Sequence, residues 1–169
     1  MMTISMFDAS VPVVNQMLGS LSAILAKAEA HAVARNINPE VLVQSRLFPD
    51  MLPLAKQVQI ACDFSKGLCA RLAAVEAPKF EDNEVTLADL QQRIRKTLDF
   101  VATIKPEQLN GTEDRDITFS FGTNTREFKG MPYLLHYAMP QIVFHVTTAY
   151  AILRSSGVEL GKRDFVGSF

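Results

Sequence analysis

The sequence predicts an all-α fold, a four-helix bundle with a short β-hairpin inserted before the last helix. Three observations carry that prediction. Four segments repeat apolar residues at steps of three and four, the spacing that gives a helix one buried stripe. Proline, glycine and polar clusters separate the segments and mark their ends. One stretch, Ile117 to Lys129, switches instead to alternation, the period of a strand.

The first helix is predicted from about Val11 to Arg35. Val14, Leu18, Leu21, Leu25, Ala28 and Ala32 form its seam. Asp8 or Ser10 suits the N-cap and Pro12 the first turn, and "NINPE" ends the helix. The second follows "RLFPDM", with Asp50 as its cap and Pro53 tolerated in the first turn. Its apolar positions are Leu54, Val58, Ala61, Cys62, Leu68, Cys69 and Leu72, and "VEAPKFEDNEV" stops it. The third runs from about Thr86 to Ile104 on a seam of Leu87, Leu90, Ile94, Leu98 and Val101. Thr86 with Asp89 gives a capping-box-like start, and Pro106 closes the segment. In the hairpin, Ile117, Phe119 and Phe121 share an apolar face before a Gly-Thr-Asn turn; two strands alone are marginal, so the hairpin has to pack on the helices. The fourth helix starts near Met131–Pro132 and ends near Ser156, with Gly157 at the position that favours a left-handed residue. The tail "VELGKRDFVGSF" reads as extended and partly docked through Phe165, Val166 and Phe169.

A chain of 169 residues, 48% hydrophobic and 21% charged, is long enough for one domain, 1–169, with a sizeable core. A net charge of −1 argues against nucleic acid, which requires a concentrated basic face. No window reaches the ~18 uninterrupted apolar residues of a membrane span. The opening "MMTISMFDASVPVV" lacks the basic start of a signal peptide, so a cytoplasmic location is expected. Cys62 and Cys69 lie seven apart on one helix, a rise of ~10.5 Å. That is too far for a disulfide, and both read as small buried hydrophobes.

The chemistry turns on "LLHYAMPQIVFHVTTAYAILR", which holds His136 and His145. Nine residues at ~100° each place the two half a turn out of phase, so they cannot share a metal. Pro140 removes a bond to the His136 carbonyl and is expected to kink the helix without reversing its facing. His136 reads as a hydrogen-bonded packing residue. Gln141, His145 and Thr148 share another face that can line a pocket. On the second helix Lys56, Gln59, Asp63 and Lys66 form a polar stripe, either a solvated face or, through Gln59 and Asp63, the edge of that pocket. Asp63 with His145 has the makings of an acid/base pair, but one His and one Asp are too few to assert zinc. His31 sits where the end of the first helix favours a cation.

Three segments carry a resemblance: "TISMFDASVPVVNQMLGSLSAILAKAEAHA", "PDMLPLAKQVQIACDFSKG" and "YLLHYAMPQIVFHVTTAYAILRSSGVELGKRDFVG". Together they resemble an uncharacterised bacterial family of the DinB-like (YfiT-like) superfamily, over nearly the whole chain. The resemblance implies an up-down-down-up bundle. It also implies a divalent-metal site of three histidines, one on the second helix and an i, i+4 pair on the fourth, and in some members thiol-dependent transfer. Here the second helix has no histidine, and His145 is flanked at four residues by Gln141 and Ala149. At most His145 carries over.

Three functions stay open. One is a small-ligand-binding bundle with a remodelled, metal-free pocket of His145, Gln141, Asp63, Gln59 and Thr148. Another is a divergent enzyme, metal-dependent or acid/base. The last is a structural or interaction protein forming a homodimer, with the seven methionines and the tail phenylalanines as contact surface.

Overall fold

Proline and asparagine set the first breaks in the chain. The computed structural model describes residues 4–168 and, of Phe121, the backbone. Helix α1 spans Val11–Ala34, with Ser10 at its N-cap position and a proline in its first turn. The Ser10 hydroxyl donates back to the carbonyls of Met6 and Phe7 instead of capping, and Asp8 bonds Ser5. After α1, Asn36 takes a left-handed φ of 54°. The Asn38 side chain then caps a short helix the sequence had not suggested, α2 (Pro39–Val43). Helix α3 (Leu54–Ala73) begins one residue after Pro53, so Asp50 does not cap it. Helix α4 (Leu87–Ala102) opens on the expected capping box, with Thr86 accepting from the Asp89 N–H and Asp89 accepting from the Thr86 N–H. A single turn, α5 (Pro106–Leu109), leads to the hairpin.

Strands β1 (Asp116–Phe121) and β2 (Asn124–Lys129) pair antiparallel, with Ile117 opposite Phe128 and Phe119 opposite Arg126. That register puts Arg126 on the strand face that carries Ile117, Phe119 and Phe128. The Phe121 side chain, expected on the same face, lies outside the described residues, as does Phe169. A short turn, α6 (Gly130–Pro132), joins the hairpin to a π-helical turn over Tyr133–Ala138, and α7 follows from Met139 to Ser155. A π turn lies just ahead of Pro140, where the kink was expected. The Met139 N–H reaches back five residues to the Leu134 carbonyl, so the helix widens by one residue just ahead of Pro140, where a proline would otherwise strain it. Gly157, at φ 91°, ends the helix as expected. The tail is not simply extended. Residues Lys162–Val166 form α8, held on α1 by Lys27 bonded to Asp164 at 2.6 Å and by Gln16 Nε2 donating to the Val166 carbonyl. Phe165 meets Tyr150 edge-on.

The chain is thus mostly helical with one two-stranded antiparallel hairpin. Helix α3 packs between α4 and α7, and α1 packs against the same two helices. The predicted seams meet in the centre: Val14, Leu18, Leu21, Leu25, Ala28 and Ala32 are buried, as are Leu87, Leu90, Ile94 and Val101, while Leu98 is half-buried. Among the described residues no helix is long and apolar enough to cross a membrane. Cys62 and Cys69 lie in this core as free thiols, and burial pushes both up to about 12. Since the thiolate is the reactive form, neither should react with a disulfide reagent at pH 8 until the protein unfolds. Rapid stoichiometric labelling of the native protein would contradict their placement.

Candidate functional site between α3, α7 and the hairpin

Three elements line a half-open cavity of about 510 Å³, within the size range of small-molecule sites. Helix α3 contributes Ile60, Asp63, Phe64 and Arg71; the last helix contributes Tyr137, Gln141 and His145; the hairpin contributes Phe119, Ser120 and Arg126. The periodicity explains the grouping. Positions 60, 64 and 71 recur on one face of α3, and 137, 141 and 145 follow at steps of four, with the π turn bringing Tyr133 and Tyr137 into stacking at 6.1 Å.

His145 is buried, and its Nδ1 lies 2.7 Å from Oε1 of Gln57. The Gln57 amide is itself oriented, because its Nε2 donates to the Leu52 carbonyl at 3.0 Å. Its oxygen is therefore the group facing the imidazole, and Nδ1 must carry the proton. In the neutral ring that leaves a lone pair on Nε2, for which no protein donor is present among the described residues. Burial holds the imidazole below its usual range, so the neutral form is favoured. The sign for stability follows: the unfolded chain takes up this proton at a higher pH than the folded one, so the fold loses stability as pH falls through the ordinary imidazole range. Nitrogen-15 NMR should show the Nδ1–H tautomer of His145 at pH 7 and a titration below that of an ordinary histidine. A ring protonated at Nε2 would overturn the assignment.

Of the residues singled out from sequence, His145, Gln141 and Asp63 meet around this cavity, whereas Gln59 and Thr148 do not line it. The Thr148 hydroxyl donates to the Phe144 carbonyl within its own helix. Gln59 is buried on another side of α3, where its Nε2 donates to Glu84 at 2.7 Å. No hydrogen bond joins Asp63 to His145. One Asp63 oxygen takes Arg93 and Lys66, each at 2.8 Å. The polar stripe of α3 is thus not a solvated face: Lys56 pairs with Asp82 at 2.9 Å, and Gln59, Asp63 and Lys66 engage a charge cluster centred on Arg93. That guanidinium, with 1% of its side chain exposed, also meets Glu84 at 2.8 Å and Asp82 at 3.0 Å. His136, expected to be packed, is exposed. His31 occupies the last turn of α1, as expected.

Sequence reasoning missed Gln57, Arg71 and Arg126. One signal for Arg71 was present: Gly67 lies one turn before it, and a side chain at 67 would collide with the guanidinium. Arg71 Nη1 donates to the Tyr133 hydroxyl at 3.0 Å, and the guanidinium lies 4.3 Å from the Phe119 ring centre. Arg126 sits 5.6 Å from the Tyr137 ring.

The donor set does not fit a divalent cation. The cavity offers one imidazole nitrogen, one carboxylate already bound to two cations, and two guanidinium groups that repel a metal. Among the described residues no three His, Cys, Asp or Glu side chains are grouped to hold one.

The chain is similar to the crystal structure of a DinB family member protein from Shewanella denitrificans. The two are 38% identical, with 96% of this chain and 92% of that chain covered and a TM-score of 0.87. No curated protein matches. The family described as a domain of unknown function, DUF1993, matches residues 6–166. The chain belongs to that family, among the DinB-like proteins.

Proposed function

We propose that the protein is a small-ligand-binding helical bundle, one domain of up-down-down-up helices, whose cavity between α3, α7 and the hairpin works without a bound metal. The supporting observation is the locked imidazole. Leu52 orients Gln57, Gln57 orients His145, and the unpaired Nε2 is left as a hydrogen-bond acceptor at an aromatic-walled cavity. An oriented acceptor at the wall of such a cavity favours a ligand bearing an N–H or O–H group. The experiment is metal analysis of the purified protein together with ligand screening by protein-observed NMR. Ligands that perturb His145, Gln141 and Phe64, with less than stoichiometric metal, are the expected result. Stoichiometric zinc or nickel that disappears in His145→Ala would overturn the metal-free reading.

A second reading is self-association. Met131, Leu135, Val143 and Phe144 are exposed along the last helical segment, and exposed apolar side chains on a helix suit a two-fold contact. Light scattering that shows only monomer at high concentration would remove it.

A further inference from the structure

The charge and shape of the cavity narrow the ligand class, an inference that rests on the ligand-binding reading above. Arg71 is held in place before any ligand arrives. Gly67 leaves room for its guanidinium, Tyr133 takes an Nη1 hydrogen, and Phe119 lies against its plane. Among the described residues no carboxylate pairs with it. Because Nη1 is used by Tyr133, the edge formed by Nε and Nη2 is free, and that edge matches the two oxygens of a carboxylate. The other charges around the cavity favour the same sign. Arg126 has no acidic partner among the described residues, and Asp63 is already bound to Arg93 and Lys66. His145, bonded through Nδ1 to Gln57, adds no negative charge. Beside Ser120 and Gln141, the remaining lining is aromatic and apolar: Phe64 meets Tyr137 at 5.8 Å, and Phe119 meets Tyr137 at 5.7 Å.

We propose that the cavity takes a small organic carboxylate, held bidentately by Nε and Nη2 of Arg71 with its apolar body against Phe64, Phe119 and Tyr137. The neutral Nε2 of His145 then accepts from any hydroxyl or amine the ligand carries.

The test uses the full chain and four probes in NMR titrations that follow the Arg71 Nε–H and the cavity amides: benzoate, its neutral isostere benzamide, inorganic phosphate and phenyl phosphate. Benzoate is expected to shift the Arg71 Nε–H and to bind about tenfold or more tightly than benzamide, the scale of a charge-assisted hydrogen bond. Arg71→Met should weaken benzoate by a similar factor. Arg71→Lys, which keeps the charge and loses the fork, should fall between, and it serves where the methionine variant fails to fold. Benzamide binding in the same cavity as tightly as benzoate would overturn the carboxylate while leaving a ligand cavity. Inorganic phosphate or phenyl phosphate binding as tightly as benzoate would overturn the choice of carboxylate over other anions. Benzoate binding that Arg71→Met and Arg71→Lys both leave unchanged would overturn the role of Arg71. No binding by any probe at millimolar concentration would overturn both this inference and the ligand-binding reading.

Discussion

Replacing Arg93 by methionine is expected to destabilise the protein by about 3–5 kcal/mol, the range for breaking a buried ion pair from one side. The guanidinium is 1% exposed, and it is the common partner of Asp63, Glu84 and Asp82. Glu84 is 9% exposed, so without Arg93 its carboxylate keeps only the Gln59 amide as a partner. Asp63 is 44% exposed and keeps Lys66, so it suffers less. The loss therefore comes mainly from leaving the largely covered Glu84 charged and without its cation, not from the salt bridges as such. A double-mutant cycle separates the two. Glu84→Gln removes the charge while keeping the shape, so Arg93→Met in the Glu84→Gln background should cost at least ~1 kcal/mol less than in the native chain. Urea unfolding midpoints at constant slope would measure it. Additive losses would show that the two side chains act independently, against the geometry. Loss of this cluster should also loosen the 80–84 segment, which is tied to α3 through Lys56–Asp82 and Gln59–Glu84.

The same cluster shows what the sequence could and could not reveal. The α1 and α4 seams were legible because burial there is set by helix period alone, and period is a local property. The Thr86–Asp89 cap was legible for the same reason: both partners lie within one turn. The stripe of Lys56, Gln59, Asp63 and Lys66 was visible but ambiguous. Its burial depends on Arg93, thirty residues beyond Asp63, and on acidic residues in an intervening loop that looked like a plain helix stop. His145 and Gln141 were found through their shared face. Gln57 and Arg71 were not, since a glutamine against a histidine 88 positions away and an arginine beneath a hairpin are tertiary facts. The π turn was also hidden. Pro140 announced a disturbance but not its form: a widened turn whose Tyr133 and Tyr137 pack against the hairpin is a tertiary arrangement.

Gly130→Ala and Gly19→Ala should move stability in opposite directions, although both replace a glycine by the same residue. Gly130 joins β2 to the last helical segment, and a Cβ there would collide with the backbone carbonyl of Thr112. That carbonyl is not free to retreat: it accepts from the Arg115 N–H at 3.1 Å, and the neighbouring Glu113 carbonyl accepts from the Met131 N–H at 2.9 Å. The strand junction has to shift, at a cost of roughly 3 kcal/mol, the upper part of the range for overpacking. Gly19 is exposed in the middle of α1, and a Cβ there meets nothing within 4 Å. Alanine at that position should instead stabilise the helix by about 0.5–1 kcal/mol by reducing the freedom of the unfolded chain. Thermal or urea unfolding of the two single variants measures the contrast. The junction also sets where Phe119 and Arg126 stand over α3 and α7, so Gly130→Ala should perturb the NMR resonances of Arg71 and Tyr137, while Gly19→Ala should leave them unchanged. A Gly130→Ala protein as stable as the parent would mean that the hairpin is not fixed through this contact, and the proposed ligand cavity would then lack a rigid third wall.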